Sequence, residues 1–235
     1  MNQNEIFNTQ LSLPLKFREL KNNKNFLINA SNEIAVSFVD HLNQTDAFKK
    51  KFTYPILLVY GPEGSGKSHL ATIFKETNDA MLINQVLPKH LNIAVKGGYF
   101  VLDDFDSFEN LDEKMVMHLF NEVSASTGGI LILSKLSPKE MNFNLPDFRS
   151  RMSGIINVEI KLPNDNILYS ILIKELEEKK LKLSDDLCLY IIKRIKRNYK
   201  FVIRFVEELD RYSLEIKDKI KLKDVKKILN YINKN

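Results

Sequence analysis

The chain has 235 residues, of which 44% are hydrophobic and 28% are charged, and its formal net charge is +5. This length and composition exclude fibrous and disordered classes and predict one large domain, or one domain with a small appendage. No apolar run approaches the roughly 18 residues that a membrane helix needs, and residues 1–10 lack the apolar stretch of a secretory signal. The small excess of Lys and Arg leaves a nucleic-acid partner and a nucleotide site both open.

The single cysteine, Cys188, cannot form an internal disulfide, which favours a reducing, cytoplasmic environment. It stands among aliphatic residues and is interpreted as a buried apolar side chain rather than a nucleophile. The histidines form no metal-ligand spacing with one another or with this cysteine. The sequence therefore predicts neither a disulfide nor a zinc site.

Taken in chain order, the N-terminal residues 1–25 show no helical period, and apolar residues then recur at helical spacing over residues 30–42. Short apolar runs, each typical of a strand buried on both faces of a parallel sheet, follow at residues 56–60, 80–83, 99–102, 130–133 and 155–160. Helical patterns separate them at residues 68–76 and 112–125. Alternating strands and helices predict an α/β fold with a central, doubly wound parallel sheet.

Beyond Pro163 the strands stop, and helical periodicity appears at residues 164–179, 184–195, 201–216 and 223–232. We therefore expect an extended tail at residues 1–20, an α/β base at residues 21–162 and a helical lid at residues 163–235.

A phosphate-binding loop follows the first of the apolar runs. Its residues fit G-x-x-x-x-G-K-[ST] and are Gly61, Pro62, Glu63, Gly64, Ser65, Gly66, Lys67 and Ser68. Glycines let backbone N–H groups point at phosphate oxygens, and the following helix adds positive potential. Lys67 is predicted to reach the β- and γ-phosphates and Ser68 to ligate Mg²⁺. His69 follows in the same helix and is grouped with the cofactor-binding residues.

Two carboxylates, Asp103 and Asp104, end the strand at residues 99–102. Asp103 is expected to hold Mg²⁺ through water, and Asp104 to orient or deprotonate the attacking water. An aspartate at the second position, where many ATPases have a glutamate, predicts weak turnover. Ser134 ends the next strand and is a candidate reader of the γ-phosphate, although a polar residue there is also typical of a turn.

This order of motifs resembles the DnaA-type AAA+ ATPases from about residue 25 to the C-terminus. The resemblance implies an adenine pocket formed by Phe26, Leu27, Ile28 and Asn32. It also implies a helical lid with a nucleotide-contacting cation, for which Lys200 stands at the family's arginine position and Arg204 lies on the same helical face.

Arg151, in the segment Phe148-Arg149-Ser150-Arg151-Met152, resembles the family's arginine finger, which reaches the γ-phosphate of a neighbouring subunit. A guanidinium is suited to stabilising charge on a transferring phosphoryl group in trans. Without the resemblance, a surface arginine paired with Asp147 or Glu159 would be the simpler interpretation.

The N-terminal tail contains one hexapeptide that resembles the sliding-clamp-binding peptide of the Hda family, the DnaA-homologous regulatory inactivators of replication initiation. Its residues are Gln10, Leu11, Ser12, Leu13, Pro14 and Leu15. Alternating leucines on an extended peptide suit a groove, and the proline lowers the cost of ordering. The same pattern also fits a strand packed on the chain's own core.

The Hda resemblance implies a negative regulator that binds ADP or ATP with Mg²⁺, binds the DNA polymerase sliding clamp and supplies its finger to ATP-bound DnaA. We expect weak intrinsic ATPase activity, weak or indirect DNA binding, and a cytoplasmic, replisome-associated location; homo-oligomer formation is left open. We expect no helix-turn-helix domain after the lid. The alternatives are a DnaC-like or transposase-helper-like ATPase acting on single-stranded DNA or a helicase, and a self-contained ATPase.

Overall fold

The computed structural model describes residues 16–18, 26–28, 32–42, 55–108, 111–216 and 219–234. Its strands are β1 (Lys16–Arg18), β2 (Phe26–Ile28), β3 (Ile56–Tyr60), β4 (Met81–Ile83), β5 (Tyr99–Leu102), β6 (Gly129–Ser134) and β7 (Ile156–Glu159). Its helices are α1 (Glu33–Leu42), α2 (Lys67–Asn78), α3 (Pro88–Val95), α4 (Glu113–Ala125), α5 (Pro146–Gly154), α6 (Asp165–Glu178), α7 (Asp185–Ile192), α8 (Tyr199–Glu215) and α9 (Leu222–Lys234).

Five of the strands form one parallel sheet in the order β4-β5-β6-β3-β7. The two central strands, β3 and β6, are apolar and buried almost throughout because helices cover both faces of the sheet. On one face Ile56 and Ile132 join the core under α4 and α5, and on the other Leu57 and Leu131 join the core under α1 and α2. The predicted parallel α/β sheet is confirmed.

The last four helices, α6 to α9, form a small bundle with a hydrophobic core of its own. Fully buried residues of α6, α7, α8 and α9 meet there, among them Leu172, Cys188, Leu209 and Ile232. Burial raises the pKa of the Cys188 thiol to about 11, so the interpretation of this cysteine as an inert apolar residue is confirmed. The predicted helical lid is therefore present as a separately packed layer.

Two helices of the base were not predicted from the sequence. Both α3 and α5 begin with a proline in the first turn, and each spans fewer than ten residues, which is too short to show a clear 3.6-residue period. In α5 only Phe148 and Met152 are buried, so the hydrophobic pattern is nearly absent.

The predicted start of α8 was wrong by two residues. Asn198 caps the helix, because its Oδ1 accepts a hydrogen bond of 2.8 Å from the backbone N–H of Lys200. The helix therefore begins at Tyr199 rather than at residue 201, and this places Tyr199 and Lys200 in its first turn.

Near the N-terminus, β1 and β2 pair as antiparallel strands, with Phe17 opposite Leu27. Residues 1–15 and 19–25, including the hexapeptide Gln10 to Leu15, lie outside the described residues, so the extended tail stays a prediction. Within the described ranges, no helix is both long and apolar enough to cross a membrane.

Candidate functional site: a cleft between the phosphate loop and the lid

A cavity of about 300 Å³ lies where the carboxyl ends of β3, β5 and β6 face the helical lid. This edge of a parallel sheet is where α/β proteins commonly bind ligands. Both layers of the fold contribute to its wall, which is lined by Asn32, Glu63, Gly64, Ser65, Gly66, Lys67, Ser68, His69, Asp103, Asp104, Lys135, Ile171, Lys174, Glu175, Asn198, Tyr199, Lys200 and Ile203.

The loop between β3 and α2 has the backbone conformation that the motif predicts. Gly61, Gly64 and Gly66 all have positive φ, at 151°, 81° and 103°. A Cβ on Gly61 would overlap the Ile160 carbonyl, and one on Gly64 would overlap the Asn198 amide of the lid. Glycine is therefore required at these positions both by the backbone conformation and by close packing. The N-terminus of α2, which begins directly after this loop, lines the cleft, where its backbone N–H groups and positive potential suit an anion.

Lys67 is almost fully buried, and its Nζ donates hydrogen bonds of 2.6 Å to the Gly61 carbonyl and 3.0 Å to the Pro62 carbonyl. Gly61 and Pro62 thus hold the lysine rather than line the cleft. Burial lowers the pKa of the Lys67 ammonium, while the nearby Asp103 and Asp104 carboxylates act in the opposite direction. An anion that replaced the two carbonyls would compensate for this burial.

The Ser65 hydroxyl, unlike the Lys67 ammonium, is left without a hydrogen bond by the described residues of the fold. Its Oγ is buried and has no hydrogen-bond partner among the described residues. A buried polar group without a partner costs free energy, so its presence in a phosphate-loop sequence fits a site that a bound ligand completes.

Asp103 lies at the end of β5, and its Oδ1 accepts a hydrogen bond of 2.9 Å from the backbone N–H of Asp104. Burial raises the pKa of the Asp103 carboxyl, and the charge of Asp104 adds to this effect. Asp104 has left-handed backbone (φ 50°), and its carboxylate lies 4.0 Å from the Lys135 ammonium. The two acids therefore differ: Asp103 is constrained and half-buried, whereas Asp104 is exposed beside a cation.

The donor set of the cleft fits magnesium. The Ser68 hydroxyl and the Asp103 carboxylate are hard oxygen ligands on the same wall, and Mg²⁺ typically takes one or two protein oxygens together with phosphate oxygens and waters. Among the described residues there is no group of three or more His, Cys, Asp or Glu side chains that could hold a metal without a ligand. Bound Mg²⁺ would neutralise charge on a nucleotide's phosphates.

Ser134 does not face the cleft, contrary to its interpretation as a reader of the γ-phosphate. Its buried Oγ lies 2.9 Å from Asp106 Oδ1 and 2.8 Å from the Leu136 carbonyl oxygen, which compete for its single proton, and it accepts a hydrogen bond from the Leu136 N–H (2.9 Å). Asp106, which follows β5, and Leu136, which follows β6, therefore account for its hydrogen-bonding capacity. The neighbouring Lys135 lines the cleft instead.

The lid contributes Lys200 to the cleft, whereas Arg204 is not among the lining residues. The Arg204 guanidinium lies 5.9 Å from the centre of the Tyr231 ring. The guanidinium of Arg197, another cation close to Lys200 in the sequence, forms a 3.0 Å ion pair with Asp165. Of the basic residues considered at this position, the geometry therefore favours Lys200.

Two of the lid residues that line the cleft, Asn198 and Tyr199, pack on Gly64 and Gly66 of the phosphate loop. Sequence reasoning did not find them as site residues, nor did it find Ile171, Lys174, Glu175, Ile203 or Lys135. The only available signal was the position of Asn198 and Tyr199 just before the predicted helix. In the proposed adenine pocket, Asn32 is buried and lines the cleft, while the side chains of Phe26, Leu27 and Ile28 lie outside what the structure describes.

Arg151 lies in α5 and does not line the cleft of its own chain. Its two Nη atoms donate hydrogen bonds of 2.9 and 2.8 Å to Oδ1 of Asn121, which belongs to α4. The neighbouring Arg149 instead donates to the Phe143 carbonyl at 2.6 Å. In the part of the chain that the structure describes, Arg151 is therefore held by a side chain and Arg149 by a backbone carbonyl.

The central parallel sheet, the phosphate loop and the helical lid together define an AAA+ P-loop fold. Domain III of the DnaA replication initiation protein of Thermotoga maritima matches with a TM-score of 0.69 at 18% identity, over 89% of this chain and 95% of that one. A RuvB mutant of the same organism matches with a TM-score of 0.65 at 15% identity, over 94% and 75% of the two chains. These likenesses establish the fold alone.

Sequence relatives narrow the class. Residues 165–229 match the model of the Hda lid domain. An uncharacterized protein of Haemophilus influenzae is 27% identical over 95% of this chain and 99% of its own length. The DnaA initiator of Buchnera aphidicola is 24% identical over 97% of this chain, which spans 56% of that protein. The chain is therefore similar to a DnaA initiator over most of its length and to the Hda lid domain over residues 165–229.

Proposed function

We propose that this chain is a regulator of DNA replication initiation that binds an adenine nucleotide between base and lid and promotes ATP hydrolysis by DnaA. The observation that carries the proposal is the coexistence of an Hda-type lid with an arginine, Arg151, placed away from its own cleft. In this proposal the tail at residues 1–20 binds the sliding clamp, and the base at residues 21–162 supplies the arginine finger. The base and the lid at residues 163–235 bind the nucleotide together.

Nucleotide binding is supported by polar and charged groups that lie in or beside the cleft and match the chemistry of phosphate and Mg²⁺. Lys67, the Ser65 hydroxyl and the N-terminus of α2 are suited to phosphate oxygens, and Ser68 and Asp103 to Mg²⁺. Structures of DnaA bound to AMPPCP share this fold with TM-scores of 0.64 and 0.65. Because Asp104 is a short acid beside Lys135, we expect slow hydrolysis by the isolated chain.

The role of Arg151 as a finger is supported by its chemistry and its place. A guanidinium outside its own nucleotide cleft is available to a neighbouring subunit, and its hydrogen bonds to Asn121 fix its direction before the partner arrives. Removing charge stabilisation of this kind costs on the order of 10³–10⁵ in hydrolysis rate in related phosphoryl-transfer systems.

The test compares Arg151→Ala with Arg211→Ala, an exposed lid arginine that pairs with Glu208. Stimulation of hydrolysis by ATP-bound DnaA should vanish with the first variant and persist with the second, while both bind ADP as the wild type does. Stimulation by Arg151→Ala at the wild-type rate would contradict the finger assignment.

Clamp binding by the tail is a separate part of the proposal. Replacing Gln10 and Leu11 by alanine should abolish retention on immobilised sliding clamp and leave ADP affinity unchanged. Equal retention of wild type and variant would show that the hexapeptide has another role.

A second candidate is an ATPase that acts on single-stranded DNA, which the basic lid favours. Such proteins commonly stack bases on aromatic side chains that lie among basic residues, and Tyr199 and Phe201 are the aromatic residues next to the basic segment. Against this candidate, Tyr199 packs on the phosphate loop, and the Lys196 ammonium lies 4.6 Å from the centre of the Phe201 ring. DNA affinity that falls steeply with salt concentration would support this candidate.

A further inference from the structure

Glu175 is an acidic residue of the lid in a cleft whose proposed ligand is an anion. It lies on α6 one helical turn after Ile171, so the two side chains share the face that lines the cleft. A phosphate group would repel this carboxylate, whereas Asp103 and Asp104 are close to Lys67 and to the proposed metal position. Glu175 therefore needs an explanation other than phosphate or Mg²⁺ binding.

The fold does not provide a partner for Glu175. Its carboxylate has no hydrogen bond or ion pair with any residue that the structure describes. The nearby cations are engaged elsewhere, since Lys174 pairs with Glu178 at 3.4 Å and Lys179 pairs with Asp210 at 3.4 Å. Burial raises the pKa of the Glu175 carboxyl, and Glu178 and Glu207 add to the increase, while the charges of Lys174 and Lys179 act in the opposite direction. Holding an ionised carboxylate here is unfavourable unless a donor approaches it.

The surroundings of Glu175 differ from those of the phosphate loop. Ile171 and Ile203, on α6 and α8, give the lid side of the cleft an apolar wall suited to the face of a base or a sugar. An adenine nucleotide carries hydrogen-bond donors only on its ribose hydroxyls and on the exocyclic amine of the base. An ionised carboxylate only accepts hydrogen bonds, so these are the groups it can recognise.

We propose that Glu175 recognises the nucleoside half of the bound nucleotide by accepting hydrogen bonds from its ribose hydroxyls or its exocyclic amine. The inference rests on the proposed function, because it assumes that the cleft holds a nucleotide. It adds a specificity-determining residue, supplied by the lid, to a site whose phosphate contacts come from the base.

The experiment is calorimetric titration of wild type and Glu175→Ala with ADP, 2′-deoxy-ADP, the ADP analogue that lacks the 6-amino group, and inorganic pyrophosphate. Wild type should bind at least one of the two analogues about tenfold more weakly than ADP, because a charged acceptor loses its donor. The affinity of Glu175→Ala for ADP should fall to the wild-type affinity for that analogue, while its affinity for pyrophosphate stays unchanged. The analogue affected identifies the sugar or the base as the partner.

Glu177→Ala is the matched control, since Glu177 is exposed on the same helix and does not line the cleft. It should bind all four ligands as the wild type does. The melting temperature of ligand-free Glu175→Ala should not fall, because burial disfavours the ionised carboxylate and no described residue gives it a hydrogen bond or an ion pair.

Two results would overturn the inference, and they are distinguishable. If wild type binds ADP but Glu175→Ala leaves all affinities unchanged or lowers them equally, the role of Glu175 is wrong and nucleotide binding stands. If wild type binds neither ADP nor pyrophosphate, the nucleotide site itself is wrong and the inference fails with it.

Discussion

Two aspartates, Asp103 in the cleft and Asp224 in the lid, show how the two regions of the molecule differ. Asp224 accepts hydrogen bonds of 2.9 Å from the Lys221 N–H and 2.9 Å from the Tyr212 hydroxyl, and these bonds lower the pKa of its carboxyl. Asp103 accepts one bond from its neighbour, and burial raises the pKa of its carboxyl. The lid carboxylate is satisfied by the fold, whereas the cleft carboxylate is not.

The same contrast extends to other groups of the cleft. Burial lowers the pKa of Lys67 and raises that of Glu175, and the Ser65 hydroxyl has no hydrogen-bond partner among the described residues. Unfavourable environments of several polar groups in one cavity are typical of a binding site rather than of a structural core. Substitutions should therefore lower stability in the lid interior and lower ligand affinity in the cleft.

The largest expected effect is on nucleotide affinity in the cleft. Lys67→Ala should weaken ADP and ATP binding by roughly 100-fold, because a buried cation that hydrogen-bonds phosphate is lost. Fluorescence titration with a labelled nucleotide measures this. Lys75→Ala, on the exposed side of the same helix, should bind normally, and equal affinities for the two variants would contradict the role of the phosphate loop.

A smaller effect, on stability, is expected in the lid. Asp224→Asn should lower the melting temperature by about 3–5 °C at pH 7, because charge-assisted hydrogen bonds to Tyr212 and Lys221 are weakened. The folded-state pKa of Asp224 is lowered, so its contribution is complete above the unfolded pKa of about 3.9 and is lost as the pH falls through the folded pKa.

Thermal melts from pH 7 to pH 2.5 would follow this prediction. The difference between wild type and Asp224→Asn should be constant above about pH 5 and should close at the acid end. A difference that grows on acidification would mean that the carboxylate is not stabilised by the fold.

Lys200 and Arg204 lie on the same lid helix, so replacing each of them compares a residue of the cleft with one outside it. Lys200→Ala should weaken nucleotide binding by about tenfold, and Arg204→Ala should change it by less than about twofold, because only Lys200 lines the cleft. Equilibrium titration of both variants measures the difference. A larger loss for Arg204→Ala would assign the nucleotide contact to the other cation.

The smallest expected effect is a gain in stability of the ligand-free protein. Asp103→Asn should raise the melting temperature by roughly 1–2 °C at pH 7, since a carboxylate disfavoured by burial is replaced by a neutral amide. The folded-state pKa of Asp103 is raised, so the penalty exists above that pKa and disappears as the pH falls below the unfolded value. With Mg²⁺ and nucleotide present, the wild type should become the more stable of the two.

The sequence predicted the base well because its signals are local. Apolar runs such as residues 56–60 and 130–133 are too short for free helices and are typical of strands between two helical layers. The loop from Gly61 to Ser68 has the spacing of a phosphate loop and lies between a strand and a helix. Short helices such as α5 lacked a hydrophobic period and were missed. The sequence could not show that Ser134 is held by Asp106, because the two residues lie 28 positions apart in the chain.

What the sequence by itself determined is the chemistry of the phosphate loop, the parallel sheet and the helical lid, since each follows from residue type and period over a few turns. Only the tertiary structure placed Lys135 rather than Ser134 in the cleft, separated Arg151 from its own site, and set Asn198 on Gly64 and Glu175 beside Ile171. These placements depend on contacts between residues far apart in the chain. No local pattern encodes such contacts, because burial and hydrogen bonding are settled only when the base and the lid pack together.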